Sequence, residues 1–489
     1  MAAEKTRKQM SPEQVQELDE VFVKARAAQK IIETYDQAKV DRLCQAVAWA
    51  VANTTTFRRL VEMGIEESGL GDFSSRMNKR MKIRGVLRDA LRQPSVGIIE
   101  EDPARGLVKY GKPAGIIGCI VPTTNPDLTP AGNAIYAIKA RDVVIFSPHP
   151  RSKDTTFETV RLMREALEAE GAPADILQCI TQPSLLVSQA LMERCDLIIA
   201  TGGQALVRQA YSSGKPAYGV GAGNATEFLD ETADVLATAL NCMLSKTSDY
   251  GSGCSADGNV LVPRAMYAEM LDALESVGGY RAGAEERAQL DKVMWDDEGH
   301  RLPDTVAIAP QKLAEAAGFT IPDDRTFIFV EGTGIGEEHN FCKEKLTTLM
   351  AVHPYEGSFE DGVEVALALY EVGGKGHSCG IASNDDAHID YFAQMMPVSR
   401  IMVNQPNSRA NAGAFNNGMP MTSSMGCGTW GGNIISENVC LKHYMNTTWV
   451  ARKIDTDRPS DAELFGEFYD PALEPEGDAK PTDAAVTMQ

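Results

Sequence analysis

From residue 113 onward the chain alternates short apolar runs with helix-patterned segments, and this alternation restricts the possible fold more than any other feature. The runs "AGIIGCIV" (114–121), "DVVIFSP" (142–148), "ILQCI" (176–180) and "LIIATGG" (197–203) have strand length and no polar alternation. Between them, "LTPAGNAIYAIKA", "TTFETVRLMREALEAEG" and "SLLVSQALMER" keep helical spacing. Strands apolar on both faces belong to sheets covered on both sides, and a helix between successive strands makes them parallel. The expectation is an α/β fold whose first sheet is a Rossmann-type nucleotide-binding domain.

At 489 residues the chain exceeds one ordinary core, so two domains are predicted. Ser11 as N-cap, Pro12 at the first helical position and Gln14 closing a capping box start a helix carrying Val15, Leu18, Val21 and Phe22 at helical spacing. Helical patterns continue to about residue 93, after which "VGIIEED" and "GLVKYGKP" alternate like a hairpin spanning 98–112. The predicted division is 1–245 for the dinucleotide-binding domain and 246–430 for a second α/β domain. A carboxyl-terminal strand segment, 431–454, follows, then an acidic, disordered tail, 455–489.

A formal net charge of −21 argues against nucleic acid and anionic membranes as partners, since both need basic faces. Part of that charge is local: the tail carries ten Asp and Glu against Arg458 and Lys480. No apolar run approaches the ~18–20 residues that span a bilayer. The start, "MAAEKTRKQMSPEQ", lacks the apolar core of a secretory signal. Ten cysteines without a CxxC pair read as reduced thiols of a cytoplasmic protein. The seven histidines show no HxxxH or HExxH spacing, so no protein-bound catalytic metal is expected.

One cysteine stands apart. Cys254, in "SDYGSGCSADGN" (248–259), lies among Gly and small polar residues. Spacing alone leaves open whether it is a nucleophile or simply a loop cysteine. Likewise "ATGGQALVRQA" puts Thr201, Gly202 and Gly203 between a strand and a helix, where Gly permits close backbone approach and the helix amino terminus favours an anion. It is not GxGxxG, and alone it is a weak cofactor signal.

Seven segments in order, however, resemble those of the CoA-acylating aldehyde dehydrogenases, including the aldehyde half of the bifunctional aldehyde–alcohol dehydrogenases. They are "GIIGCIVPTTNP" (115–126), "VVIFSPHPRSKDTT" (143–156), "IIATGGQALVRQAYSSGKPAYGVGAGN" (198–224), "LSKTSDYGSGCSADGN" (244–259), "FCKEKL" (341–346), "GGKGHSC" (373–379) and "MGCGTWGGNIISENV" (425–439). The resemblance implies that Cys254 is the nucleophile: its thiolate adds to the aldehyde, and the adduct gives up a hydride and becomes a thioester. It implies that the Asn125 amide and the Cys254 N–H face the developing oxyanion. NAD or NADP would lie against Thr201, Gly202, Gly203 and Gly221, with Ser147, Pro148 and His149 on its adenosine side. Arg151 and Lys153 would lie near the ribose 2′ position, and Glu344 would hold the nicotinamide ribose. His377 matches a histidine of the acylating branch. The 98–112 hairpin and the strand after Trp430 imply pairing between subunits, hence a homodimer or homotetramer, with 246–430 the catalytic domain.

Two departures sharpen the expectation. Hydrolytic aldehyde dehydrogenases carry a general-base Glu at the start of a Glu-Leu-Gly-Gly segment; here "GVGAGN" (219–224) has no carboxylate. The acyl-enzyme would then wait for a thiol, coenzyme A. Next to the nucleophile, Ser252 and Gly253 replace the apolar branched residues of the bifunctional enzymes, and the loop "NSRANAGAFNN" (407–417) offers Arg409 to an anion. Sulfoacetaldehyde is the favoured substrate, and acetaldehyde is the alternative. A hydrolytic dehydrogenase and a scaffold with a vestigial site are the competing readings. The first helix belongs to the folded body, so a free cytoplasmic enzyme is expected.

Overall fold

The computed structural model describes residues 9–473 apart from Ala222 and the Gln204 side chain. Residues 1–8, part of the stretch read for a secretory signal, and residues 474–489 of the acidic tail lie outside the described residues. Two compact units divide the chain. The larger runs up to Ile99 and from Tyr110 to Thr448; the smaller takes Glu100–Lys109 and the chain from Trp449 onward.

The larger unit contains two parallel sheets. The first has the order β5-β4-β3-β6-β7: β3 (Ile116–Ile120), β4 (Val143–Ser147), β5 (Leu177–Cys179), β6 (Leu197–Ala200) and β7 (Ala217–Gly219). β3 and β4 are buried at every position, as their unbroken apolar runs require. The helix Leu128–Ala140 between them is buried at all positions. From β3 the chain steps outward through β4 to β5, then returns to the other side for β6 and β7. That reversal makes a crevice at the carboxyl ends of β3 and β6.

The second sheet has seven parallel strands in the order β10-β11-β12-β9-β8-β13-β14. They are β8 (Thr226–Leu229), β9 (Asn259–Pro263), β10 (Gly279–Arg281), β11 (Phe327–Glu331), β12 (Leu349–Tyr355), β13 (Cys379–Ala382) and β14 (Ile401–Val403). β8 therefore pairs in the second sheet and the following helix, Val235–Lys246, packs on it, although the sequence placed both before the start of the second domain at 246. The reason is Glu227: a fully buried carboxylic acid in mid-strand interrupts the apolar run by which a buried strand is read.

The capping box at Ser11 and Gln14 forms, with both reciprocal bonds present. Leu18, Val21 and Phe22 are buried, whereas Val15 is exposed. The predicted hairpin is β1 (Gly97–Asp102) and β2 (Leu107–Pro113), and β15 (Met445–Ala451) lies beside β2. In the smaller unit, Lys109 pairs with Glu100 at 2.8 Å and stacks over Trp449. The start of the tail is not structureless: Ser460 and Glu463 form a capping box on a short helix, Asp461–Phe465. No helix among the described residues is long and apolar enough to cross a membrane.

Candidate active site

One cleft of about 1500 Å³ joins the two sheets of the larger unit. Residues that follow β3, β4 and β6 form one wall, and residues that precede β8, β9 and β12 form the other. Asn125, His149, Thr201, Gly202, Gly203, Gly221, Cys254 and Glu344 all line it. Of the ten cysteines, Cys254 alone lines the cleft.

The loop that leads to Cys254 is bent by three successive left-handed residues, Asp249, Tyr250 and Gly251 (φ 51°, 51° and 67°). Such geometry costs roughly 1–3 kcal/mol for each residue with a side chain, so contacts must hold it. Gly251 is required here, because a Cβ would overlap the carbonyl of Thr347. Gly253 opens onto space, with nothing nearer its Cβ direction than Ser255 Oγ at 4.0 Å. Ser252 is buried and donates its hydroxyl to Asp249 Oδ2 at 3.0 Å, so it supports the loop and adds little free polarity to the pocket.

His377 lies behind the sulfur, fully buried and outside the cleft lining. Its Nε2 is 3.0 Å from Cys254 Sγ, and its Nδ1 is 2.9 Å from Ser378 Oγ, which accepts from Asn411 Nδ2 at 3.2 Å. Arg400, also buried, clamps the histidine backbone by donating to the His377 carbonyl at 3.1 Å and to Asn438 Oδ1 at 2.9 Å. Burial, then the Arg400 charge, hold His377 down to about 3. Burial, helped by Glu344 and Cys427, pushes the Cys254 thiol up to about 12. The resting pair is therefore a neutral thiol against a neutral imidazole, with Nε2 placed to accept the thiol S–H and fix the direction of the sulfur.

A pH dependence follows. Below a raised thiol pKa the thiolate fraction grows tenfold per unit. Alkylation of Cys254 by iodoacetamide, without cofactor, is thus expected to accelerate close to tenfold per unit between about pH 7 and 9. A thiolate–imidazolium pair would instead give a rate flat across that range.

Gly223, in "GVGAGN", packs directly against Cys254. A Cβ at Gly223 would overlap the Cys254 carbonyl, and at Gly219 the corresponding space is filled by Val207 and the Tyr211 ring. Asp249 and Glu344 are the two acidic side chains that line the cleft. Glu344 accepts from the Gly223 N–H at 3.2 Å, and burial pushes its carboxyl up to about 7.

On the cofactor side, Gly203 precedes the helix Gln204–Ser212 with no side-chain cap, which leaves the first backbone N–H groups for an anion. A Cβ at Gly203 would meet nothing within 4 Å. An uncapped helix start at a switch-point crevice fits the phosphates of a dinucleotide. His149 lines this end, with Nδ1 accepting from the Arg151 N–H at 3.1 Å. Two expected residues are placed elsewhere. Ser147, the last residue of β4, turns inward, and its hydroxyl meets Ser188 Oγ at 2.9 Å. Arg151 donates to the Ser68 carbonyl at 2.9 Å and does not line the cleft. Arg208 does line it, on the helix face that sequence spacing left unassigned.

Arg409 also lines the cleft. It donates through Nε to the Leu244 carbonyl at 3.1 Å and has no carboxylate partner among the described residues. The asparagines of its loop are mostly structural: Asn407 reaches Asp257 at 3.3 Å, and Asn411 reaches Ser378. Lys79 and Lys82, not singled out in the sequence, line the cleft as well. Lys79 joins the helices Phe73–Asn78 and Arg80–Leu91, Lys82 lies in the second, and neither belongs to a local motif; only folding brings them to the cleft.

A thiol backed by a neutral imidazole, facing an anion-ready helix start across a switch-point crevice, is equipped for covalent chemistry beside a bound dinucleotide. The chain belongs to the aldehyde dehydrogenase family, whose sequence model matches residues 2–443. It is 40% identical over 450 residues to a sulfoacetaldehyde dehydrogenase of Acholeplasma, covering 91% of this chain and 93% of that one. It is 37% identical to an acylating sulfoacetaldehyde dehydrogenase of Bilophila wadsworthia, covering 91% and 97%. The crystal structure of an acetylating aldehyde dehydrogenase from Geobacillus thermoglucosidasius superposes with a TM-score of 0.87 at 35% identity, over 92% of this chain and all of that one.

Proposed function

We propose that this enzyme interconverts sulfoacetaldehyde and sulfoacetyl-CoA with NAD(P)+ and coenzyme A. The observation that carries the acylating reading is the contact of "GVGAGN" with Cys254: the segment that holds the water-activating base in hydrolytic relatives presses on the nucleophile with no carboxylate. Cys254 gives up its proton to solvent and adds to the aldehyde carbon as the thiolate, with His377 Nε2 holding the sulfur in direction. Asn125 and the Cys254 N–H stabilise the oxyanion. The dinucleotide supplies the hydride acceptor. The thioester left on Cys254 is then attacked by the CoA thiol, an exchange of one thioester for another and thus close to reversible. His149 and Gly203 support placement of the dinucleotide's adenosine and phosphates. Assembly as a homodimer or homotetramer and a cytoplasmic location are part of the same proposal.

The substrate reading rests on Arg409, with the names of the relatives in support. A guanidinium with free terminal N–H groups matches the paired oxygens of a sulfonate. A charged hydrogen bond of this kind contributes roughly 1.5–3 kcal/mol, or about 10–100-fold. The test is dinucleotide reduction in the presence of CoA with sulfoacetaldehyde or acetaldehyde. Arg409→Ala is expected to lower kcat/KM for sulfoacetaldehyde about 10–100-fold while changing that for acetaldehyde less than about threefold. Equal losses on both, or a wild-type preference for acetaldehyde, would assign the enzyme to the uncharged aldehyde.

A further inference from the structure

The side-chain amide of Asn125 can face the cleft with either its oxygen or its nitrogen, and only the nitrogen end can donate to an oxyanion. Lys79 decides the orientation. Its Nζ lies 2.7 Å from Asn125 Oδ1 and 3.2 Å from the Thr124 carbonyl. An ammonium offers donors only, so the amide must present its oxygen to Lys79. One amide hydrogen then goes to Thr124 Oγ1 at 3.3 Å, and the other is left for the cleft that Asn125 lines.

Lys79 is in turn held by Asp249, 2.6 Å away. Asp249 is buried and satisfied from several sides: Arg76 Nε at 3.2 Å, Ser252 Oγ at 3.0 Å and the Asp72 N–H at 3.1 Å. The cations beside it hold its carboxyl down to about 2. This residue is also the first of the left-handed bend that leads to Cys254. One buried carboxylate thus fixes both the nucleophile loop and, through Lys79, the amide opposite it. We infer that Lys79 and Asp249 are positioning residues that set the Asn125 amide as an oxyanion donor and hold it in register with Cys254. The inference rests on the reading of Asn125 given above.

A mutant cycle tests it on the full-length enzyme. Asn125→Ala is expected to lower kcat about 10²–10³-fold. Lys79→Met is expected to lower kcat on the order of 10–100-fold, with KM for the aldehyde and the iodoacetamide alkylation rate of Cys254 changed less than about twofold. The double variant should be no slower than Asn125→Ala alone, within about threefold, because the two act as one unit. Lys79→Arg, which keeps a donor, should recover most of the activity. Multiplying losses in the double variant would overturn the inference while leaving Asn125 as the donor. A normal kcat in Asn125→Ala would overturn the oxyanion reading itself. A rise in KM confined to the sulfonated aldehyde in Lys79→Met would make Lys79 an anion contact and also overturn the inference. Slowed alkylation or lost dinucleotide binding in Lys79→Met would mean collapse of the loop; Lys79→Arg then decides, and failure to restore kcat alongside normal alkylation counts against the inference.

Discussion

With aldehyde and dinucleotide but no CoA, the enzyme is expected to release one burst of reduced dinucleotide, close to one equivalent per subunit, and then to turn over at least about 100-fold more slowly than with CoA. The figure is the factor that a positioned general base contributes, on the order of 10²–10⁴, and the cleft does not offer one to water. Asp249 is ionised, but Lys79 and Ser252 occupy one oxygen while Arg76 and the Asp72 N–H occupy the other. Glu344 titrates near 7 and is engaged by the Gly223 N–H. Val220 and Gly221, which bring this segment to the cleft, carry no carboxylate. The burst is read by stopped-flow absorbance of the reduced nicotinamide, and the trapped thioester by its reaction with hydroxylamine. Steady release of free acid without CoA, growing above about pH 7 and lost in Glu344→Gln, would show Glu344 acting as the base and the enzyme to be hydrolytic.

Much of the fold was legible because its strands are buried on both faces, and such strands appear as unbroken apolar runs. β3, β4 and β6 could be read for that reason. β8 could not: Glu227 sits in its middle, and the room for that carboxyl comes from the missing side chain of Gly380 on neighbouring β13, a pairing visible only in three dimensions. β7 is three residues long and carries no pattern. In the cleft, Cys254, Asn125 and Glu344, and His377 behind it, lie in motifs that keep their local sequence, so their meeting could be anticipated. Lys79 was not, since its partner Asp249 lies 170 positions away and no spacing rule links them. Ser147 and Arg151 are kept off the cleft lining for a local reason. The last residue of β4 points inward to Ser188, and Arg151 is drawn to the end of a distant helix by the Ser68 carbonyl. A motif fixes where the backbone goes; the facing of each side chain depends on which neighbours have polar groups left to satisfy.

Cys254→Ala is expected to lower kcat by at least about 10⁴-fold, with dinucleotide affinity unchanged. The size of the loss follows from the absence of a substitute nucleophile. Cys427 is close enough for its charge to act on Cys254, but its thiol is packed against Gly221 and is itself pushed up by burial. Cys179, the other half-buried thiol, does not line the cleft, and burial raises it further. The remaining cysteines are buried. Labelling with iodoacetamide at mildly alkaline pH should accordingly modify one thiol per subunit in the wild-type enzyme and none in Cys254→Ala. Serine at the same position keeps the contact with His377 Nε2 but must ionise an alcohol, whose pKa lies far above that of a thiol. Its activity should therefore stay within about tenfold of the alanine variant. Substantial CoA-dependent turnover in Cys254→Ala would transfer the nucleophile to another side chain and, with it, remove the purpose of the His377 contact.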